Sequence, residues 1–317
     1  MSQSLGVLLM AYGTPRNLSE VEDYYRSIRG ARVPTSEEVE ELADRYRRVG
    51  GHTPLLEITQ DIATLLEQRL NRENKAQYKV YVGMKHWHPF IAEAVSSVAA
   101  DHVDGLIALP LAPHYSKMSI DGYRSALEEA ISSLSLNLQV RFTESWYANP
   151  LFTDAVVQRI HEAIRGFPSR NPAEVEVVFT AHSLPRRIQQ WGDPYPNELR
   201  ESAKLVAEAA GVPSWRFAYQ SASHTGEPWL GPDILETLGE LASEGKKQVL
   251  VVPIGFVSDN LEILFDIDIE AQELAKGLEI HLRRIEMLNN SRPFIEALAD
   301  VVVNGTGTRG SYPSASS

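Results

Sequence analysis

Residues 174–185 read EVEVVFTAHSLP. Val175, Val177, Val178 and Phe179 form a β-branched and aromatic run of the kind that fills a buried strand. Thr180 and Ala181 close it, and His182, Ser183, Leu184 and Pro185 follow. Proline is accepted at the first position of a helix, so the stretch predicts a strand, a loop and a helix start, with an imidazole at the strand's C-terminal edge. Ligands bind at that edge in open α/β sheets. Taken alone, His182 is better explained as a loop histidine bonded to its neighbours. Two features elsewhere in the chain favour a functional role.

Working outward, the same alternation recurs. Strands are expected over 6–11, 78–82, 105–109, 139–143, 175–181, 216–220, 248–252 and 279–283. Helices are expected over 19–29, 36–49, 54–70, 89–101, 119–134, 150–165, 197–210, 232–243, 258–274 and 292–302, the first two opening on Ser19 and Ser36 as caps. Strands and helices alternating at these lengths imply an α/β protein with parallel sheets covered on both faces by helices. The segment 166–172, GFPSRNP, has linker composition, which divides the chain into 1–166 and 173–304. Residues 305–317 are rich in Gly, Ser and Thr and are expected to be a disordered tail. Gly305, Gly307 and Gly310 match the letters of a dinucleotide fingerprint. No helix can follow them before the sequence ends, so the phosphate-binding reading is set aside.

The first of the two features is an internal repeat. GVLLMAYGTP (6–15) and VVFTAHSLP (177–185) share an apolar run, then Ala, an aromatic ring, a small residue and a nearby Pro. LIALPLAPHYS (106–116) and VLVVPIGFVSD (249–259) share an apolar run followed by Pro. Two Rossmann-like halves are the simplest account, and they would place Tyr12 and His182 at matching strand ends beside one cleft.

The second is VSDNLEILFDIDIE (257–270). Ser258 or Asp259 is expected to cap a helix on which Glu262, Asp266 and Glu270 are spaced i, i+4, i+8, close to one face. Ile263, Leu264, Phe265, Ile267 and Ile269 between them make the helix too apolar for a surface position. A row of carboxylates on such a helix calls for protons, cations or water beside it. His182 and Glu262 then offer an imidazole and a carboxylate, a donor pair suited to a borderline divalent metal such as Fe²⁺. Two ligands are too few for a permanent structural site and suit a metal that is held and passed on.

Composition narrows the function further. A net charge of −12 argues against a general nucleic-acid or anionic-membrane surface, while leaving room for a local basic pocket. The chain has no cysteine, which excludes disulfides, thiolate zinc sites and cysteine-ligated iron–sulfur clusters. The apolar run at the N-terminus lacks a basic region and a cleavage site and reads as a strand. No run approaches the ~18 apolar residues of a membrane span. A cytoplasmic protein is expected.

AYGTP, RYRRVGGHTPL, GMKHWHP, APHYS, ESWY, AHSLP, GDPYP, YQSASHTGEPWLGPD and FVSDNLEILFDID occur in this order. Together they make the chain, over residues 5–304, resemble the ferrochelatases. It is most similar to the soluble, cluster-free branch that metallates coproporphyrin III in Gram-positive bacteria. The resemblance implies a class II chelatase-like fold, two Rossmann-like halves with parallel four-stranded sheets and a cleft between them. It implies no permanently bound cofactor, Fe²⁺ and coproporphyrin III as substrates, a monomer, and at most transient contact with an iron donor or haem acceptor. It implies that His182 and Glu262 face each other over the porphyrin centre, binding Fe²⁺ and accepting pyrrole protons. Tyr12 would lie on the opposite face of the macrocycle. Arg29, Arg45, Tyr46, Thr53 and Tyr123 would hold the porphyrin and its propionates, Lys85 would lie at the cleft, and Asp266 and Glu270 would continue an acidic row as further metal-binding residues. One position departs from the family: Asn260 stands where His is usual. An asparagine is expected to replace it if that side chain only makes a hydrogen bond. The alternatives are insertion into protoporphyrin IX, a non-catalytic haem or porphyrin carrier, and a cobalt chelatase acting on a sirohydrochlorin-like ring.

Overall fold

A computed structural model describes residues 3–73, 76–169, 172–223 and 226–305. In chain order it contains β1 (Ser4–Ala11), α1 (Val21–Arg29), α2 (Ser36–Arg48), α3 (Leu55–Glu73), β2 (Gln77–Met84), α4 (Ile91–Ala100), β3 (Gly105–Pro110) and α5 (Ile120–Ser133). It continues with β4 (Val140–Phe142), α6 (Pro150–Ile164), β5 (Glu176–His182), α7 (Tyr195–Ala210), β6 (Trp215–Gln220) and α8 (Ile234–Ser243). Last come β7 (Gln248–Val252), a π-helix (Ile263–Ala271), α9 (Gln272–Gly277), β8 (His281–Arg284) and α10 (Arg292–Asn304). The tail beyond 305 and most of the fingerprint-like run lie outside the described residues.

The strands form two parallel four-stranded sheets, ordered β2-β1-β3-β4 and β6-β5-β7-β8. Adding four to each number of the first order gives the second, so the repeat seen in the sequence is a repeat of topology. In each sheet the chain first steps to one side of the opening strand, then crosses back to the other. The crevices between β1 and β3 and between β5 and β7 are therefore topological switch points, where ligands bind in sheets of this kind.

Every strand of the core pairs is apolar on both faces, as buried parallel strands are. In β1, Val7 and Leu9 join a core shared with α3, α6, α7, α10, β5 and β7. Leu8 and Met10 face α4 and α5 instead. Val178, Val249 and Val251 pack against α8, the π-helix and α9. The result is five layers: outer helices, a sheet, a shared helical layer, a sheet, and outer helices. α10 packs on α3 and α6, so the last helix returns to the first half. We propose that the chain divides in connectivity near 166–173, with α10 contributed back across that boundary rather than belonging wholly to 173–304.

Helix starts differ in detail from the serine caps expected. Asn17 caps the turn before α1, its Oδ1 accepting from Ser19 N at 2.9 Å. Thr35 opens α2 in a reciprocal capping box with Glu38, a device that contributes about 1 kcal/mol. Pro185 opens a short 3₁₀ helix, Arg186–Trp191.

The largest difference is at 258–274. The expected α-helix is a π-helix for nine residues and α-helical only at its two ends. Its cap is Asn260, whose Oδ1 accepts from Ile263 N at 2.9 Å. Asp259 is not free to cap, since Arg284 and Asn289 occupy its carboxylate, and the Ser258 hydroxyl is buried with no hydrogen-bond partner among the described residues. π-Helices longer than one turn are uncommon and mark functional positions.

Candidate active site

A cavity of about 690 Å³ lies between the halves, at the C-terminal ends of β1, β3, β5 and β7. Its size falls in the about 300–1,000 Å³ range of small-molecule sites. Tyr12, Arg29, Arg45, Tyr46, Thr53, Lys85, Tyr123, His182, Glu262 and Asp266 all line it. Glu270 does not, although it sits on the same π-helix. With roughly 4.4 residues per turn, a π-helix turns positions i+4 and i+8 steadily away from the first, in the opposite sense to an α-helix. Among the described residues no three His, Asp or Glu side chains converge to hold a metal ion.

His182 is the last residue of β5. Its Nδ1 bonds the carbonyl of Ser183 at 2.5 Å. A carbonyl only accepts, so Nδ1 carries a proton, and in the neutral imidazole the lone pair is on Nε2. The backbone around it is fixed: Tyr195 donates its hydroxyl to the His182 carbonyl at 3.0 Å, and Ser183 N donates to Gln220 O at 2.7 Å. Trp229 and Phe256 flank the ring at 6.5 and 6.4 Å. Gly255 lets the chain from β7 pass. A Cβ built on it would lie 2.5 Å from Ala181 Cβ, closer than side chains pack.

Glu262 precedes the π-helix, and Gln220 Nε2 donates to its backbone carbonyl at 3.3 Å. Gln220 is in turn oriented by Thr180, whose hydroxyl donates to Gln220 Oε1 at 2.8 Å. Asp266 is buried, accepts a short bond from the Ser221 hydroxyl, and has Arg45 Nη1 3.9 Å away. Burial pushes its carboxyl up to about 7, with Glu262 adding to the rise and Ser221 and Arg45 opposing it. Ser221 has φ +64, an uncommon conformation for a residue with a side chain.

The opposite wall comes from the first half. Tyr12 follows β1 and lines the cleft. Burial holds its phenol protonated well above its ordinary range, and the Glu262 carboxylate adds to this. Tyr123 is raised by burial first, then by Tyr12 and Glu262. One carboxylate of the second half thus acts electrostatically on phenols of the first, on Tyr24 and Tyr46 as well as on Tyr12 and Tyr123. Lys85 Nζ stands 5.5 Å from the Tyr123 ring and rests on Gly122, where a Cβ would collide with it. Burial lowers its proton affinity.

Arg29 pairs with Glu38 at 3.5 Å and bonds the Tyr25 hydroxyl at 2.5 Å. Arg45 pairs with Glu41 and stands 5.1 Å from the Phe265 ring. Tyr46 and Thr53 are almost wholly buried, and both hydroxyls bond Thr14, at 3.1 and 2.8 Å. They brace the loop behind Tyr12. Two cavity histidines were not singled out from the sequence. His86 contacts Tyr12, ring centroids 4.6 Å apart, and burial, with Lys85, holds it down to about 4. His114 is buried, stacks on Tyr147 at 5.5 Å, and is held to about 3 by burial. Both lie within motifs quoted above, GMKHWHP and APHYS.

Two parallel four-stranded sheets facing one cleft at paired switch points give the fold of the class II chelatases. The solved structure of SirB from Bacillus subtilis with Fe³⁺ has this architecture, with TM-score 0.61 at 12% identity over 97% of this chain and 96% of that one. A sirohydrochlorin chelatase SirB with cobalt, from Bacillus subtilis subspecies spizizenii, gives 0.59 at 13% identity, covering 96% of each. At such identities the likeness is one of fold. Residues 4–306 match the family described as Ferrochelatase, and the chain belongs to that family of metal-inserting enzymes. It is 51% identical to a ferrochelatase of Herpetosiphon aurantiacus, covering 95% of this chain and 99% of that protein. It is 39% identical to a coproporphyrin III ferrochelatase of Bacillus subtilis, covering 96% and 99%. No helix among the described residues is long and apolar enough to cross a membrane.

Proposed function

We propose that this ferrochelatase inserts Fe²⁺ into coproporphyrin III, giving Fe-coproporphyrin III, as a cytoplasmic monomer. The observation that carries the reading is that His182, at the end of β5, and Glu262, on the segment that follows β7, line the cavity that Tyr12 enters from the other half. Insertion exchanges one dication for two pyrrole protons, so the site needs two proton acceptors on the face where the metal arrives. Nε2 of His182 offers a lone pair, and the Glu262 carboxylate offers the second acceptor. Both also suit Fe²⁺ as passing ligands. Neutral Tyr12 on the far wall presents an oxygen to the opposite face of the ring. The enclosing cleft favours a bent macrocycle, in which the nitrogen lone pairs tilt toward the metal.

Arg29, Arg45 and Lys85 give an acidic protein three cations in its cleft. Arginine forks suit carboxylates, and coproporphyrin has four where protoporphyrin IX has two. The Bacillus subtilis relative, named for coproporphyrin III, agrees with that choice. The relatives from Herpetosiphon aurantiacus and Thermus thermophilus are named ferrochelatase with no porphyrin specified, so protoporphyrin IX is the second substrate to test. The experiment is anaerobic Fe²⁺ insertion into both porphyrins in parallel. Faster turnover of coproporphyrin III is expected, and preference for protoporphyrin IX would overturn the assignment.

A further inference from the structure

We infer that Arg284 is a positioning residue for Glu262, acting as a clamp that holds the π-helical segment in its register from behind. The inference rests on Glu262 being a working group of the cleft, as proposed above.

Arg284 ends β8, on the side of the π-helix away from the cavity. Its Nε and Nη2 form a two-pronged pair with Asp268, at 2.8 and 2.7 Å. Nη2 also donates to Asp259 at 2.9 Å, and Nη1 to the Ile285 carbonyl at 3.1 Å. The free oxygen of Asp259 accepts from Asn289 Nδ2 at 2.7 Å, and Asp259 N donates to Asn289 Oδ1 at 2.9 Å. Asn289 N donates to the Val257 carbonyl at 2.9 Å. The guanidinium side chain is only 15% exposed.

Asp259 lies three residues before Glu262 and Asp268 six after it. One planar cation therefore fixes the approach to the π-helix and its middle at the same time. Arginine is suited to this because its fork matches a carboxylate in the plane and has donors left for a second. A reason for such a clamp is visible in the backbone. A π-helix is rare because the α-helical pairing of the same residues is ordinarily preferred, and nine consecutive residues need an outside tie. The Glu262 carboxylate has no hydrogen-bond partner among the described residues, so its aim is set by the backbone that carries it. Asn260 and Gln220 hold that backbone on the cleft side; Arg284 holds it on the other.

The test uses the full chain with Arg284→Met, Arg284→Lys and Asp268→Asn, assayed for porphyrin affinity by fluorescence quenching, for anaerobic metal insertion, and for amide hydrogen exchange over 259–271. Small displacements of a working group cost on the order of 100-fold in rate. Arg284→Met is expected to lower kcat by about 30- to 100-fold with KM for porphyrin within about threefold. Arg284→Lys should recover part of the loss. Exchange over 259–271 should quicken at least about tenfold while β5 and β7 stay protected. Asp268→Asn, which keeps the shape of the side chain, should show the same pattern more weakly, and adding it to Arg284→Met should cost little more. Unchanged kcat and unchanged exchange in Arg284→Met, or activity lost only in step with porphyrin-binding capacity, overturns the inference. Should Arg284→Met not fold, Asp268→Asn decides by the same readouts. Should wild type insert no metal, the proposed function fails, and the exchange data still decide whether the clamp exists.

Discussion

The hydroxyl of Tyr195 reaches across from the start of α7 to bond the backbone carbonyl of His182 at 3.0 Å. The segment that supplies it also ties the halves together. Asp193 accepts from Ser116 Oγ at 3.1 Å and from Lys117 N at 2.9 Å, and Glu198 accepts from Tyr115 N at 2.7 Å. The strand end that carries the imidazole is thereby linked to the loop that carries His114.

Tyr195→Phe removes that one hydrogen bond and keeps the ring. A net loss of about 1 kcal/mol of positioning is expected, read as a kcat several-fold lower with KM for porphyrin unchanged. Steady-state kinetics on the variant check this, and a change confined to KM would place Tyr195 in binding instead.

Gly255→Ala forces a methyl against Ala181, where the two carbons would stand 2.5 Å apart. The loop leading to Glu262 must shift, so both stability and turnover should fall. Overpacking of this kind costs about 1–3 kcal/mol. Thermal melts and insertion assays measure the two losses, and a variant equal to wild type in both would show that the loop has slack.

Gly122→Ala is expected to act at a distance through Lys85, whose ammonium occupies the space of the new methyl. Displaced from the cavity wall, Lys85 would lose the contact with a substrate carboxylate that the proposed function gives it. Porphyrin affinity should fall by about tenfold, the scale of one charge-assisted hydrogen bond, with little change in melting temperature. Fluorescence quenching titrations provide the measurement.

Asp266 predicts a pH dependence of stability. Burial raises its carboxyl from 3.8 to about 7 in the folded chain. Between those values the folded state binds the proton that the unfolded state has released, so stability falls as pH rises. The contribution is full below about pH 4 and lost above about pH 7. Asp266→Asn carries no such penalty, so its melting temperature relative to wild type should climb from pH 4 to 7 and level off beyond. A difference that stays flat over that range would mean the carboxylate is ionised throughout.

Local pattern carried much of this structure. The paired runs 6–15 and 177–185 were legible as repeats, and β1 and β5 do hold equivalent places in their sheets. The ends of those strands located the cleft, because a parallel strand's C-terminal edge is fixed by topology alone. What escaped depends on pairings distant in sequence. Whether ILFDIDIEA winds as α or π is not written in its apolar spacing; Arg284, sixteen residues past Asp268, ties the register from outside. The same guanidinium occupies Asp259 and leaves Asn260 as the cap. The place of His86 is not legible in sequence because its contact with Tyr12 joins two strand ends more than seventy residues apart. Tyr46 and Thr53 line the cavity but spend their hydroxyls on Thr14, a detail that no residue pattern encodes.

The most direct test of the central claim is metal insertion by His182→Ala and Glu262→Gln, assayed anaerobically with Fe²⁺ and coproporphyrin III beside a fluorescence titration of porphyrin binding. Both variants are expected to bind the porphyrin with wild-type affinity, within about threefold, and to lose at least 100-fold in turnover, on the order of a lost general base. Near-normal turnover by either variant would contradict the account, because the two proton acceptors assigned to the metal's face of the ring would then lie elsewhere.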